Sequence, residues 1–466
     1  MAALHEWSLE DASREIKARR LSPVTLAQAI LERIAQLDGT LQSYSTVTAE
    51  QAIGQAQHAE REIADGKYRG PLHGIPVSVK DTIASAGIRT TASSRLFDAW
   101  VPEQDAGVIT QLKSAGAVIL GKAVCSELGF IGPMYARNPW NIRYFAGASS
   151  SGSAAGVAAG LAFGSIAGDS GGSIRDPAAL CGVTGFKPTF GCVSRTRTVP
   201  LSHSFDTIGP IARSATDCAL LFNAIADYDP EDPVSVKTPP KVSHAELSRG
   251  LRGLRMGVPA RFLDAGGMNE EVAKAFAFAL DIMRDEGAKV TEIDIAYLRH
   301  ARAVNWTMLR AEGFNVHRSA LLEQREKFSP STYRALAVGE LLTAEDYLCA
   351  QQARTLLASE VAKAFETVDV IALPTRPVTA ARGAFVAQPR AGDEPIANGD
   401  VNFLSLFNVT GGPAISLPAG FDSNGLPIGL QLAGRPYADS TVLSAARGFQ
   451  EATDWHRKFP SVGEQR

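Results

Sequence analysis

The stretch from Phe145 to Ser194 carries the residue types needed for covalent chemistry. Two turns of small residues, Gly147–Ser153 and Gly168–Ser173, hold six serines between them. Glycine and serine let backbone N–H groups approach a ligand closely and leave hydroxyls exposed. Each turn opens an expected helix, so both are placed to meet an oxyanion. The string Gly168-Asp-Ser170-Gly-Gly172 fits two nucleophile patterns, and either nominates Ser170. Neither context follows: one pattern belongs to an all-β fold, and the other wants a later acid and histidine in a recognisable setting. A different base is available in Lys80, which closes the apolar run Gly74-Ile-Pro-Val-Ser-Val-Lys80. Burial disfavours an ammonium, and bringing it from ~10.4 to near 7 or 8 takes about 3–5 kcal/mol. A neutral amine of that kind can deprotonate a serine.

Other chemistries find little support. The eight histidines are dispersed, with no H-E-x-x-H and no Cys/His cluster, which disfavours a metal hydrolase. Gly116-Ala-Val-Ile-Leu-Gly-Lys122-Ala123 nearly matches a phosphate loop, but Ala123 stands where a magnesium-binding hydroxyl belongs, and Lys122 reads as the end of a buried strand. A net charge of -3 leaves no electrostatic footprint for nucleic acid or an anionic membrane. The five cysteines are an odd number at long intervals, and the first residues lack an apolar signal core, so a cytoplasmic protein is expected.

The elements that must position this chemistry alternate. Ser22-Pro23 caps a helix with Leu26, Ile30, Ile34 and Leu37 on one face. Residues 75–79 and 117–120 read as strands around a helix over 106–114, and strands at 254–258 and 290–295 flank a helix over 269–286. Residues 301–365 are expected to be helical, and strands resume at 368–373, 414–417 and 428–432. The pattern predicts an α/β fold: a single large domain with a mixed, largely parallel central sheet covered by helices on both faces. Within residues 1–466 we distinguish a helical scaffold (1–65), a catalytic core (66–225), a surface linker (226–252) rich in proline, and the remaining α/β and pocket-forming helices (253–466).

Lys80 in its G-I-P-x-x-V-K-D setting, the serine-rich turn, and Gly171-Gly-Ser173-Ile-Arg-x-Pro-Ala-Ala-Leu-Cys-Gly-Val-x-Gly-x-Lys-Pro-Thr-x-Gly together resemble the amidase signature family of serine hydrolases. Asn138-Pro-Trp-Asn141, Phe205-Asp-Thr-Ile-Gly-Pro210, Gly412–Gly420 and Gly425–Gln431 extend the likeness over most of the chain. The resemblance implies a Ser-cisSer-Lys triad: Ser173 as nucleophile, Ser149 as bridging serine after a cis Ala148–Ser149 peptide, and Lys80 as base. It also implies an oxyanion hole from the N–H groups of Ser170, Gly171, Gly172 and Ser173, with Ser170 as a wall residue. Two positions depart from the family pattern: Ala148 replaces a glycine, placing a methyl where it can tighten the cavity, and Gly168 replaces a threonine. Asp169 and Arg175 are expected to form an internal ion pair.

The implied activity is hydrolysis of the C–N bond in small amides through an acyl-enzyme, with aryl acylamides, carbamates and esters as relatives, and no metal or organic cofactor. The alternative is the glutamine-hydrolysing component of a tRNA-dependent amidotransferase complex, although residues 329–354 do not resemble the matching segment of those proteins. A catalytically silent binding module is disfavoured by the presence of all three triad residues. Expected pocket residues are Gly129, Phe130, Met134 and Tyr135, with the middle helices and the loop over 376–400. The expected partner is a small amide or carbamate, with no nucleic acid, no membrane and a possible homodimer.

Overall fold

The computed structural model describes residues 3–264, 267–382 and 403–462. Its strands are β1 (Tyr44–Val47), β2 (Pro76–Lys80), β3 (Val118–Ala123), β4 (Gly164–Asp169), β5 (Thr184–Lys187), β6 (Thr207–Ala212), β7 (Arg255–Val258), β8 (Lys289–Glu292), β9 (Val370–Pro374), β10 (Ala414–Phe421) and β11 (Pro427–Ala433). All join one sheet in the order β1-β3-β2-β4-β6-β5-β10-β11-β9-β7-β8, flanked by helices. Every residue of β2, β3, β6, β9 and β11 is buried, which fits their largely apolar makeup. The edge strand β8 is mostly exposed and carries Lys289, Thr291 and Glu292, a polar rim against edge pairing.

The sheet is mixed, as expected, but less parallel than the alternating pattern suggested. Parallel pairings hold for β2 with β3 and β4, and for β7 with β8 and β9. The centre is antiparallel, from β4–β6 through β5 and β10 to β11–β9. Between β10 and β11 the connection spans only residues 422–426, too short for a crossover, and so makes a hairpin.

Local signals set the helix starts. Ser22 Oγ accepts from the N–H groups of Val24 and Thr25, and the helix Pro23–Leu41 buries Leu26, Ile30 and Ile34. Asn269 caps the helix Glu270–Asp285 in the same way. The proline-rich segment after residue 226 lies on the surface, fastened to the chain before it: Val236 N donates to Gly191 O at 2.9 Å, and Arg195 N to Asp232 Oδ2 at 2.9 Å.

The parallel register Val79↔Ile166 brings the ends of β2 and β4 side by side. Lys80 closes the first and Asp169 the second. The serine-rich turn reaches the same place by leading into the helix Ser151–Ala158, which packs so closely that a Cβ on Gly152 would sit 2.3 Å from Ser43 O.

Gly121 supports this frame. Its φ is +149°, and a Cβ there would lie 2.1 Å from Thr46 O, in the β1–β3 pairing. We predict that Gly121→Ala lowers stability by about 1–3 kcal/mol, measured by urea unfolding; an unchanged midpoint would contradict this reading.

Candidate active site

Lys80 and Ser149 meet directly. Their Nζ and Oγ are hydrogen-bonded at 2.6 Å, with Lys80 2% and Ser149 0% exposed. The Ala148–Ser149 peptide is cis. Burial is the largest influence on Lys80 and lowers its pKa from the ordinary lysine value, opposed by the nearby groups of Cys125, Asp169 and Asp206. Ser149 is positioned from both sides of its peptide: its carbonyl accepts from Ser126 N at 3.0 Å, and Ala148 N donates to Asp176 Oδ2 at 2.8 Å.

Ser173 lies between β4 and the helix Arg175–Cys181, on the wall of a pocket of about 320 Å³ that Ala148, Ser170, Gly171 and Gly172 also line. The turn is held by Asp169. Its carboxylate accepts from Gly172 N at 2.7 Å and Ile174 N at 3.2 Å, and pairs with Arg175 at 2.9 Å with both side chains fully buried. Arg175 spends its remaining donors on Leu404 O, Gln431 Oε1 and Asn408 Oδ1, at 2.7–2.9 Å. Burial alone would raise Asp169, but this guanidinium and the Asn408 amide hold its carboxyl well below the usual range. The expected internal ion pair is present.

Because Gly172 N–H is engaged by Asp169, the expectation that it stands free for an oxyanion is not met. Ser170 Oγ donates to Asp206 Oδ1 at 2.5 Å, a wall residue tied to a carboxylate. Lys122 ends a buried strand with its ammonium on Ile83 O and Ser85 Oγ. Its neighbour Ala123 is a strand residue, so no phosphate loop forms.

Gly129, Phe130 and Met134 line the pocket. Tyr135 does not; it packs against a separate cluster containing Val124, Ala136 and Ala154. The middle helix Ala301–Glu323 contributes Arg302, Trp306 and Leu309. Of the expected loop over 376–400, Arg376 to Val378 reach the pocket, and 383–400 lie outside the described residues. The sequence reading missed the charged wall: Arg302, and Arg376 paired with Asp176. Two signals pointed there, an arginine just beyond the apolar strand β9 and an acid three residues after Ser173. Ala148 also lines the pocket, so its methyl narrows the cavity.

A mixed α/β sheet that brings a buried lysine onto a serine beside a glycine–serine turn defines a class of C–N hydrolases, and comparison with known proteins makes the assignment firm. The chain belongs to the Amidase family, whose profile matches residues 25–443. It is 39% identical to a glutamyl-tRNA(Gln) amidotransferase subunit from Roseiflexus sp. (strain RS-1), over 99% of each chain. The native peptide amidase of Stenotrophomonas maltophilia superposes with a TM-score of 0.84 at 31% identity, covering 98% of each chain. A chain from a structure of a vestigial protein complex bearing on the origins of an s-triazine catabolic enzyme gives a TM-score of 0.88 at 29% identity, covering 96% of this chain and 98% of that one.

Removing one partner of a fully buried pair leaves the other charge uncompensated. We predict that Arg175→Met destabilises the protein by about 3–5 kcal/mol and abolishes activity, checked by urea unfolding and turnover. A variant of wild-type stability would show that Asp169 is held by its other donors alone.

Proposed function

We propose that this protein hydrolyses the C–N bond of carboxamides with Ser173 as nucleophile, Ser149 as proton relay and Lys80 as base. The contact between the Lys80 amine and the Ser149 hydroxyl carries this reading: 2.6 Å, buried, with burial favouring the neutral amine. Ser173 Oγ attacks the amide carbon while its proton passes to Ser149, whose own proton moves to Lys80. The oxyanion of the tetrahedral intermediate is met by N–H groups of the turn, with Ser170, Gly171 and Ser173 as candidates. Lys80 returns its proton through Ser149 to the leaving nitrogen, which departs as an amine or ammonia, and water then cleaves the acyl-enzyme.

Two substrate readings follow. The names of the relatives favour the side-chain amide of glutamine, hydrolysed within an amidotransferase complex. The charged groups of Arg302, Arg376 and Asp176 on the pocket wall suit the head group of an amino acid. The second reading, a small amide with an apolar or aromatic acyl group, is favoured by Phe130, Met134, Phe145 and Trp306 in the lining. Turnover of the lone chain on glutamine and on anilides separates them: activity on simple anilides supports the second, and glutaminase activity confined to a partner complex supports the first.

For the triad we predict that Lys80→Ala, Ser149→Ala and Ser173→Ala each lower kcat/KM by about 100-fold or more, and that a serine-directed phosphonate labels Ser173 in the wild type. Since the reacting form of Lys80 is neutral and its pKa is lowered, kcat/KM rises with pH through a pKa below that of free lysine. A phosphonate adduct on Ser170 would overturn the assignment.

A further inference from the structure

Ser170 separates the main pocket from a second, smaller cavity of about 30 Å³, enough for one water, which Lys80 lines. Its lining includes Lys80, Thr82, Gly168, Ser170, Thr198 and Asp206. Gly168 is on its wall, and a Cβ there would meet only ordinary contacts, Ile208 Cδ1 at 3.6 Å and Thr207 O at 3.9 Å.

Asp206 is fixed on this wall. One carboxylate oxygen accepts from Ser170 Oγ at 2.5 Å, and the other accepts from the N–H groups of Leu201 and Ser202, each at 2.9 Å. The other ionisable groups bearing on Lys80 are Asp169 at the end of β4, already committed to Arg175, and Cys125 after β3, a thiol that burial keeps protonated. Arg195 is a further cation bearing on Asp206, and it is paired with Asp232.

We propose that Asp206 is a positioning residue for the base: anchored by Ser170 and the 201–202 backbone, it holds a fixed negative charge on the wall of the cavity that Lys80 also lines and steadies the protonated amine between its two proton transfers. The inference rests on the reading of Lys80 as base and adds a group outside the triad. The electrostatic attraction of Asp206 favours the ammonium and partly offsets burial, keeping a proton available to return to the leaving nitrogen.

The test is the pH profile of kcat/KM on an anilide or on glutamine, whichever the wild type turns over, alongside the pH dependence of phosphonate labelling at Ser173. Asp206→Asn moves the acidic limb of both profiles to lower pH by about half a unit or more, roughly a threefold gain at a pH below the wild-type limb. Asp206→Glu moves it back. If Asp206→Asn does not fold, Asp206→Ser decides: it removes the charge, keeps a hydroxyl for Ser170 and the 201–202 N–H groups, and moves the limb the same way. An acidic limb unchanged in the neutral variant that folds overturns the inference and leaves the triad standing. Equal labelling of Lys80→Ala and wild type across the whole range overturns both.

Discussion

The site depends on an amine taken out of water with no carboxylate of the described residues in contact with it. Three lysines are buried to this degree among the described residues, Lys80, Lys122 and Lys187. Lys122 is served by Ile83 O and Ser85 Oγ, with Asp81 as the nearby counter-charge. Lys187 has the carbonyl of Pro188 and lies near Asp169 and Asp439. Burial lowers them to about 8 and about 7 respectively, so a depressed lysine alone does not mark the catalytic residue. What separates Lys80 is its place. It bonds a hydroxyl one residue from the pocket wall, whereas Lys122 and Lys187 have backbone carbonyls among their acceptors and line neither the pocket nor its glycine–serine turn. Lys80 stands at the end of β2, beside the last residues of β4, where the serine-rich turn brings Ser149 to it.

The turn that carries Ser173 is held by a stronger and costlier device. Asp169 and Arg175 are both fully buried, an arrangement whose desolvation penalty commonly matches its Coulombic gain. Its value here is geometric. One carboxylate fixes Gly172 N, Ile174 N and the guanidinium, and the guanidinium then reaches Leu404 O and Asn408 from the helical segment over 405–409 and its preceding residue, and Gln431 from β11. A turn of glycines and serines has no side-chain bulk to define its shape, so residues more than 200 positions away define it instead. The pocket wall contributed by Phe403 and Leu404 is thereby tied to the same hub as Ser173.

Much of this frame was legible in the sequence. Capping serines, apolar strands and the buried setting of Lys80 are local signals, and local physics answered them. The strand order was not legible, because β10 and β11 insert between β5 and β9 through contacts that no short window contains. Ser149 and Ser173 could not be told from their neighbouring serines by residue type; the resemblance to a family distinguished them. The pocket was half legible. Met134 and Tyr135 are adjacent and both amphipathic, but consecutive side chains of a non-helical segment diverge, and here one faces the pocket and the other packs into a small core. Arg302 and Arg376 come from separate elements and converge only in the folded chain.

Asp176 joins the two halves of the site. Its carboxylate accepts from Ala148 N at 2.8 Å, one residue from the relay serine, and pairs with Arg376 on the pocket wall. Substrate-facing charge and the conformation of the serine turn therefore meet in one side chain. Asp176 fixes the N–H of Ala148, the residue before Ser149. One carboxylate thus holds both the pocket wall and the serine-rich turn. Its position, three residues past Ser173 in the first turn of the helix Arg175–Cys181, is rigid because that helix is buried along its whole length.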